Sequence, residues 1–504
     1  MNGVLRFTVA LAPLFALWAL AASVVAIRAA RTDFASAARR GLFAAFVCAF
    51  VAIAGLTAGL ISFDLSSRFV MQSSSALMPI RYVPAAFLAA PGGALLVLAA
   101  LVGAAGLAMT GGRRHDALTS RWTVACVAGA IIVPLAIAAF AAPFDLPIGV
   151  RQDGAGLSPD LQRSATTLHA LALMLGTACA NVSFALTAAA VASRTVDERW
   201  SARVRVWNAL AWTALFVGAI AGARWYALNP VRGAWLSDPV TALWLLPTAT
   251  GAWLVHLDSG RATAERAVIR VILIAATFVG ATLALTFGAG AFVTGAASAL
   301  THRAGWWVGA TPAAAVLLLV VLLRRGDGAL ASASRIADGV RSPAAAWIAH
   351  AGFVLVVASA VGARFTRDRT VALGDAEIFR ARDPFGHQWS FASQGISTLQ
   401  RENYASLTVS LMPKRDDQQL AMLSAEARSY TLASGDDAGP PAFITGHVAG
   451  PFLETRLTVV EPEGKRPTLR ITFVPLAPWL AVGGWLLAIG TVAPLLRRRR
   501  EPTS

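Results

Sequence analysis

Two histidines lie inside apolar runs, where an ionisable side chain is costly and is kept for a partner or for chemistry. His256 lies 18 residues beyond Asp238, about 27 Å along a helix, near the far end of its run. His350 lies 14 residues before Arg364, about 21 Å along a helix running the other way. Two neutral imidazoles at matched depth on separate helices supply what a six-coordinate haem iron takes: one nitrogen on each face, held rigidly in an apolar cavity. The same residues also fit a plainer reading, in which each histidine hydrogen-bonds a neighbouring helix or sits at an interface. Spacing alone leaves both open.

A second group is aromatic and wet. The stretch 223–257, ARWYALNPVRGAWLSDPVTALWLLPTATGAWLVHL, starts polar and proline-broken, passes Trp235, Asp238 and Pro239, and becomes the helix that ends on His256. His169 opens a different run, and His302 precedes Trp306 and Trp307 in a loop. Such an aromatic, Asp-bearing edge is either a site or the belt of amphipathic rings that anchors helices at a membrane interface, and 15 tryptophans make a belt reasonable. The sequence identifies no partner for His115, His387 or His447. Cys48, Cys126 and Cys179 all sit in apolar runs without CxxC spacing, and read as buried small hydrophobes rather than a redox pair or metal site.

The elements that position these residues follow from composition. A 504-residue chain that is 56% hydrophobic and 14% charged, with mean hydropathy +0.61, is no soluble globule. The net charge of +16 comes from arginines in short loops, where they set topology, so nucleic acid is not an expected partner. Apolar runs predict about eleven spans, near 6–28, 41–62, 82–110, 122–142, 167–193, 205–223, 240–257, 267–287, 306–323, 343–363 and 476–496. The first has no small-residue cleavage site and reads as a retained helix. Arginine-rich loops alternate with poorer ones and the tail ends in Arg497 to Arg500, which places the N-terminus outside and the C-terminus inside a bacterial cytoplasmic membrane.

From Arg364 to Val474 the apolar runs stop. YASLTVSLM (404–412) and RLTVVEP (456–462) alternate or use β-branched residues as strands do, and 433–441 reads as a loop. The expected fold is an all-α polytopic membrane protein with a small β-rich external (periplasmic) domain before the last helix. Its parts are a helical body (1–363), the external domain (364–475), and a last helix with a basic tail (476–504).

These residues carry a resemblance. Trp235 followed by Ser237, Asp238, Pro239 and Val240 resembles the tryptophan-rich WWD segment of haem-handling proteins. FVMQSSSALMP (69–79), GLSPDLQ (156–162) leading to His169, RSPAAAWIAHAGFVLVV with His350, ENYASLTVSL (402–411), AEARSY (425–430) and FVPLAPWLAVGGWLL (473–487) resemble the CcmF family of cytochrome c maturation proteins almost end to end. The resemblance implies a haem lyase component. In that family two membrane histidines, here His256 and His350, bind a stable b-type haem that takes electrons from quinol. Two outer histidines, here His169 and His302, ligate transient haem delivered by a haem chaperone, on a platform that takes in Trp235, Asp238, Trp306 and Trp307. An apocytochrome c then presents its CxxCH thiols, kept reduced by a thiol-reducing maturation partner.

The departures are specific. Ala234, Leu236 and Ser237 stand where the family has aromatic rings, and Thr241 and Ala242 replace a Glu-Asn pair. AAPGGA (89–94) replaces a Gly-Gly-His-Glu-Gly loop, and strict alignment puts the second outer histidine at Ser298, four residues before His302. Each lost stacking ring removes about 1 kcal/mol of contact beyond area burial. Two classes of function therefore stand: a divergent haem lyase, or a non-catalytic relative kept for assembly or electron transfer. A transporter has little support, because no paired broken spans recur in two similar halves.

Overall fold

A computed structural model describes residues 2–110, 117–145, 153–157, 161–162, 164–228, 244–258, 264–291, 343–401, 404–431, 441–462 and 466–497. Its helices are α1 (Asn2–Arg28), α2 (Thr32–Ser62), α3 (Arg68–Ser73), α4 (Val83–Ala89), α5 (Pro91–Thr110), α6 (Ala117–Phe140), α7 (Ser164–Ser193), α8 (Glu198–Ala227), α9 (Leu245–Asp258), α10 (Ala264–Ala291), α11 (Pro343–Gly362) and α12 (Pro478–Arg497). Among the described residues, seven helices are long and apolar enough to cross a membrane: those at 2–28, 32–62, 92–110, 118–140, 166–193, 198–227 and 344–365. The chain is a polytopic, mostly helical membrane protein, with a β-domain inserted before its last helix.

Some helices differ from the expected spans. The run 82–110 is not one helix: α4 ends at Ala89, Ala90 is extended, and Pro91 opens α5. Proline has no N–H to continue the ladder and pushes the residue before it out of the helical region. Helices α2 and α8 start earlier than their apolar runs, carrying Arg39 and Arg40, and Arg199 and Arg203, on helix rather than loop. Long basic side chains reach out along an apolar surface to water, so a helix continues where an apolar run stops. In α8, Asp197 also caps the first turn, accepting the Trp200 N–H at 2.8 Å. The expected span 306–323 lies outside the described residues.

Helices α1, α2, α5 and α6 pack around Leu42, Leu56, Leu96, Ile131 and Leu135, and α7, α8 and α10 around Val182, Val204, Val271 and Phe278. Cys48, Cys126 and Cys179 are free thiols among these apolar side chains.

The β-domain has two antiparallel sheets. One runs β1 (Arg367–Ala372), β10 (Thr468–Pro475), β9 (Leu453–Glu461), β8 (Gly446–Ala449). The other runs β2 (Ile378–Arg382), β3 (Gln388–Gln400), β4 (Tyr404–Arg415), β6 (Leu423–Tyr430), β7 (Ala442–Ile444), with the short β5 (Gln418–Gln419) also on β4. Alternate residues of both sheets meet in one core around Trp389, Phe391, Leu411, Leu457, Ile471 and Phe473.

A buried ionic clamp fastens this domain to the end of α8. Both Glu454 oxygens accept from the Arg224 guanidinium at 2.8 Å, and the Arg456 Nε–H donates to Oε1 at 2.8 Å. Arg456 also donates to the Ala227 carbonyl at 3.0 Å and the Thr445 hydroxyl to that of Leu228 at 3.0 Å, so the domain satisfies carbonyls that the helix end leaves open. Burial alone pushes the Glu454 carboxyl up, but Arg456 and Arg224 outweigh it and hold the group below the usual carboxylate range. A lowered folded value gives stability that is present above the unfolded carboxylate pKa and lost as pH falls through the folded one. Glu454→Ala leaves two guanidinium groups without their carboxylate and is expected to weaken docking by about 3 kcal/mol. Limited proteolysis of the β-domain, faster in the variant at neutral pH and converging with wild type in acid, checks this; equal rates throughout would contradict it.

Candidate functional site

Helix α8 is the spine that brings the two membrane histidines together. α9 leans on it with Gly251 against the Trp212 ring, and α12 with Gly484 against Ile220. α11 is held against α12 at Gly352 and Gly483, where a Cβ on Gly352 would lie 2.5 Å from the Leu487 nitrogen and one on Gly483 2.6 Å from the Gly352 oxygen. Small residues at a crossing let backbones touch, the usual means of helix association in lipid.

His256 of α9 and His350 of α11 then stand with ring centroids 5.8 Å apart and planes at 88°. Each is tied by Nδ1 to the carbonyl four residues back in its own helix, His256 to Ala252 at 2.9 Å and His350 to Ala346 at 2.7 Å. A carbonyl only accepts, so each Nδ1 carries the hydrogen and each Nε2 keeps a lone pair. That is the tautomer of a metal-bound imidazole whose other nitrogen is anchored. Two metal–nitrogen bonds of about 2 Å, with the ring radii added, put centroids about 6 Å apart, close to the observed separation. Among the described residues no three His, Cys, Asp or Glu side chains gather to hold a bare ion. A pair of imidazoles suits instead a group that brings its own equatorial ligands.

Three residues around this pair escape the sequence reading. Trp253 and Trp347, 68% and 76% exposed, each lie three positions before their histidine, so the same Trp-x-x-His spacing occurs in α9 and α11 and puts ring and imidazole on one helix face. The repeat is visible in the sequence, but among many tryptophans it stands out only once the helices are paired. Arg270 of α10, buried, donates to the Ser201 hydroxyl at 2.8 Å and to the Leu257 carbonyl at 3.4 Å, and lies over the Trp200 ring. It fastens the end of α9 one residue beyond His256.

His169 occupies the other end of the bundle, beside the α8 terminus that carries the ionic clamp. Its Nδ1–H donates to the Gly218 carbonyl at 2.7 Å across the α7–α8 crossing, which again leaves Nε2 with the lone pair. The Trp225 ring lies 6.2 Å away at 37°. Gly222 makes room for the imidazole, since a Cβ there would lie 2.7 Å from the His169 Nδ1. Trp235, Asp238, His302, Trp306 and Trp307 lie outside the described residues, as does His115. His387, without a partner in the sequence reading, is paired: its Nδ1 meets Asp416 at 2.5 Å, where the turn before β3 faces the turn after β4.

No family model matches the chain. A cytochrome c-type biogenesis protein CcmF from Pseudomonas fluorescens is 28% identical over 204 residues, and one from Haemophilus influenzae 27% over 202, covering 40% and 39% of this chain. The matched stretch spans 30% of the length of each of these relatives. A solved cytochrome c haem lyase CcmF superposes with a TM-score of 0.72 at 16% identity, over 98% of both chains. The chain is similar to CcmF. At that identity the superposition with CcmF shows a shared fold, a helical membrane body with a β-domain before the last helix, as the motifs implied.

Proposed function

We propose that the chain is a haem lyase subunit of cytochrome c maturation, holding haem at the external membrane face and supporting its attachment to the CxxCH thiols of apocytochrome c. The observation that carries this is the His256–His350 pair: two imidazoles on separate helices, 5.8 Å apart, each with Nδ1 tied to a carbonyl and Nε2 available. They would hold a resident b-type haem, whose chemistry would be one-electron transfer, with quinol as the electron source and the substrate iron as the group kept reduced. Trp253 and Trp347 stand one turn before the two histidines on the same helix faces, and Arg270 keeps the end of α9 in place.

His169 ligates the substrate haem at the external face, its ring oriented by Gly218 and backed by Trp225. Trp235, Asp238, Trp306 and Trp307 form the platform, with His302 as the second ligand. The partners are a haem chaperone that delivers haem, the apocytochrome c, and a thiol-reducing maturation protein that keeps its cysteines reduced. The chain sits in the bacterial inner membrane with its N-terminus outside, its C-terminus inside and the β-domain in the periplasm. The thinned aromatic run at Ala234, Leu236 and Ser237 favours a second reading, a non-catalytic relative that retains the resident haem for assembly or electron transfer.

The detergent-solubilised protein is expected to carry a reducible b-type haem, read as a pyridine haemochrome. A stable but colourless wild-type protein would end both readings.

A further inference from the structure

A groove of about 740 Å³ lies where the end of α11 and the turn before α12 meet the β-domain, away from His169, His256 and His350. Phe365, Phe385 and Phe452 line it, together with Arg367, Arg415 and His387. The three rings are 64%, 54% and 61% exposed, a large apolar surface for water to cover. No Asp or Glu is among the lining residues; Asp416, next to Arg415 and just outside the groove, has its oxygens on the His387 ring and the Gln388 N–H, which leaves Arg367 and Arg415 as the cations facing the groove. Asp383 shapes one wall, accepting the Phe385 and His387 N–H groups and the Trp389 indole, while its own carbonyl takes one Arg367 N–H at 3.1 Å.

The height of the groove says what covers the rings. Phe365 ends the apolar helix at 344–365 and Arg367 opens the first strand, so apolar and cationic walls meet where the chain leaves the hydrocarbon. Rings at that level suit acyl chains and glycerol, and guanidinium groups just beyond them suit phosphate. We propose that this groove binds the headgroup of an anionic phospholipid, with its phosphate on Arg367 and Arg415 and its acyl chains against Phe365, Phe385 and Phe452. The bound lipid ties the foot of the β-domain to the leaflet, adding to the protein clamp at Glu454. This holds whether or not the chain handles haem.

The test is retention of lipid by the purified full-length chain, exchanged into detergent with phosphatidylglycerol or phosphatidylcholine and read by native mass spectrometry. Phosphatidylglycerol is expected to be retained about tenfold over phosphatidylcholine, from two cations near the surface. Arg367→Glu with Arg415→Glu should abolish the preference and Arg367→Lys with Arg415→Lys preserve it. Phe385→Ser with Phe452→Ser, which leaves the cations in place, should lower retention of both lipids. Equal retention of the two lipids by wild type, or an unchanged preference in the glutamate variant, would overturn the proposal. So would haemin uptake that His387→Ala abolishes and phosphatidylglycerol does not displace.

Discussion

His256→Ala and His350→Ala proteins are each expected to purify without the b-type haem that wild type carries. The two imidazoles stand on different helices and neither has a spare histidine beside it among the described residues, so losing one leaves the group a single protein ligand. Removing only the hydrogen-bond partner of a metal-bound histidine costs about 10- to 100-fold in affinity. Removing the ligand itself should cost more than about 100-fold, enough to empty the site during purification. Neither substitution disturbs packing: both rings are exposed, and their polar contacts go only to carbonyls of their own helices. Pyridine haemochrome content per protein, with the monodispersity of each variant as the control for folding, reads the result. Full haem content in both variants would remove the pair from the site.

His169→Ala is expected to do the opposite, leaving the b-type haem at wild-type content while c-type cytochrome maturation in the host stops. His169 lies on α7 at the β-domain end of the bundle, whereas His256 and His350 lie towards the other end, on α9 and α11. Its one hydrogen bond goes to the Gly218 carbonyl, at a crossing that Leu173 and Leu215 still fill in the variant. Loss of this ligand should lower maturation more than about 100-fold, by the same reasoning about ligand affinity. Haem staining of c-type cytochromes in a complemented host, alongside the haemochrome of the purified variant, measures both at once. Normal maturation with intact b-type haem would favour the non-catalytic relative.

Much of the fold is legible in the sequence because lipid imposes a simple rule: backbone polar groups must be satisfied within helices, so apolar runs near bilayer length mark them. The strands of the β-domain are legible for a similar reason, since one face of each sheet is buried and side chains alternate. The break at Pro91 does not follow from the proline alone, because proline is tolerated inside many membrane helices, as Pro13 in α1 and Pro134 in α6 show. The early starts of α2 and α8 were less readable, because charge ends an apolar run without ending a helix.

The candidate site divides in the same way. Depth along a helix is a one-dimensional quantity, so residue counting by itself set His256 and His350 at similar levels, and the motifs by themselves pointed to haem handling. Azimuth and neighbours are not one-dimensional. Only the tertiary structure decided that α9 and α11, separated in the chain by α10 and the stretch after it, both lean on the unit formed by α8 and α12. Only then do the imidazoles come within 5.8 Å and the two Trp-x-x-His faces stand together. The carbonyls that fix the tautomers, the Gly218 partner of His169 and the Glu454 clamp belong to that second class too. Each depends on which surfaces of two elements touch, and that is set by small residues at crossings summed over the whole bundle rather than by any local pattern.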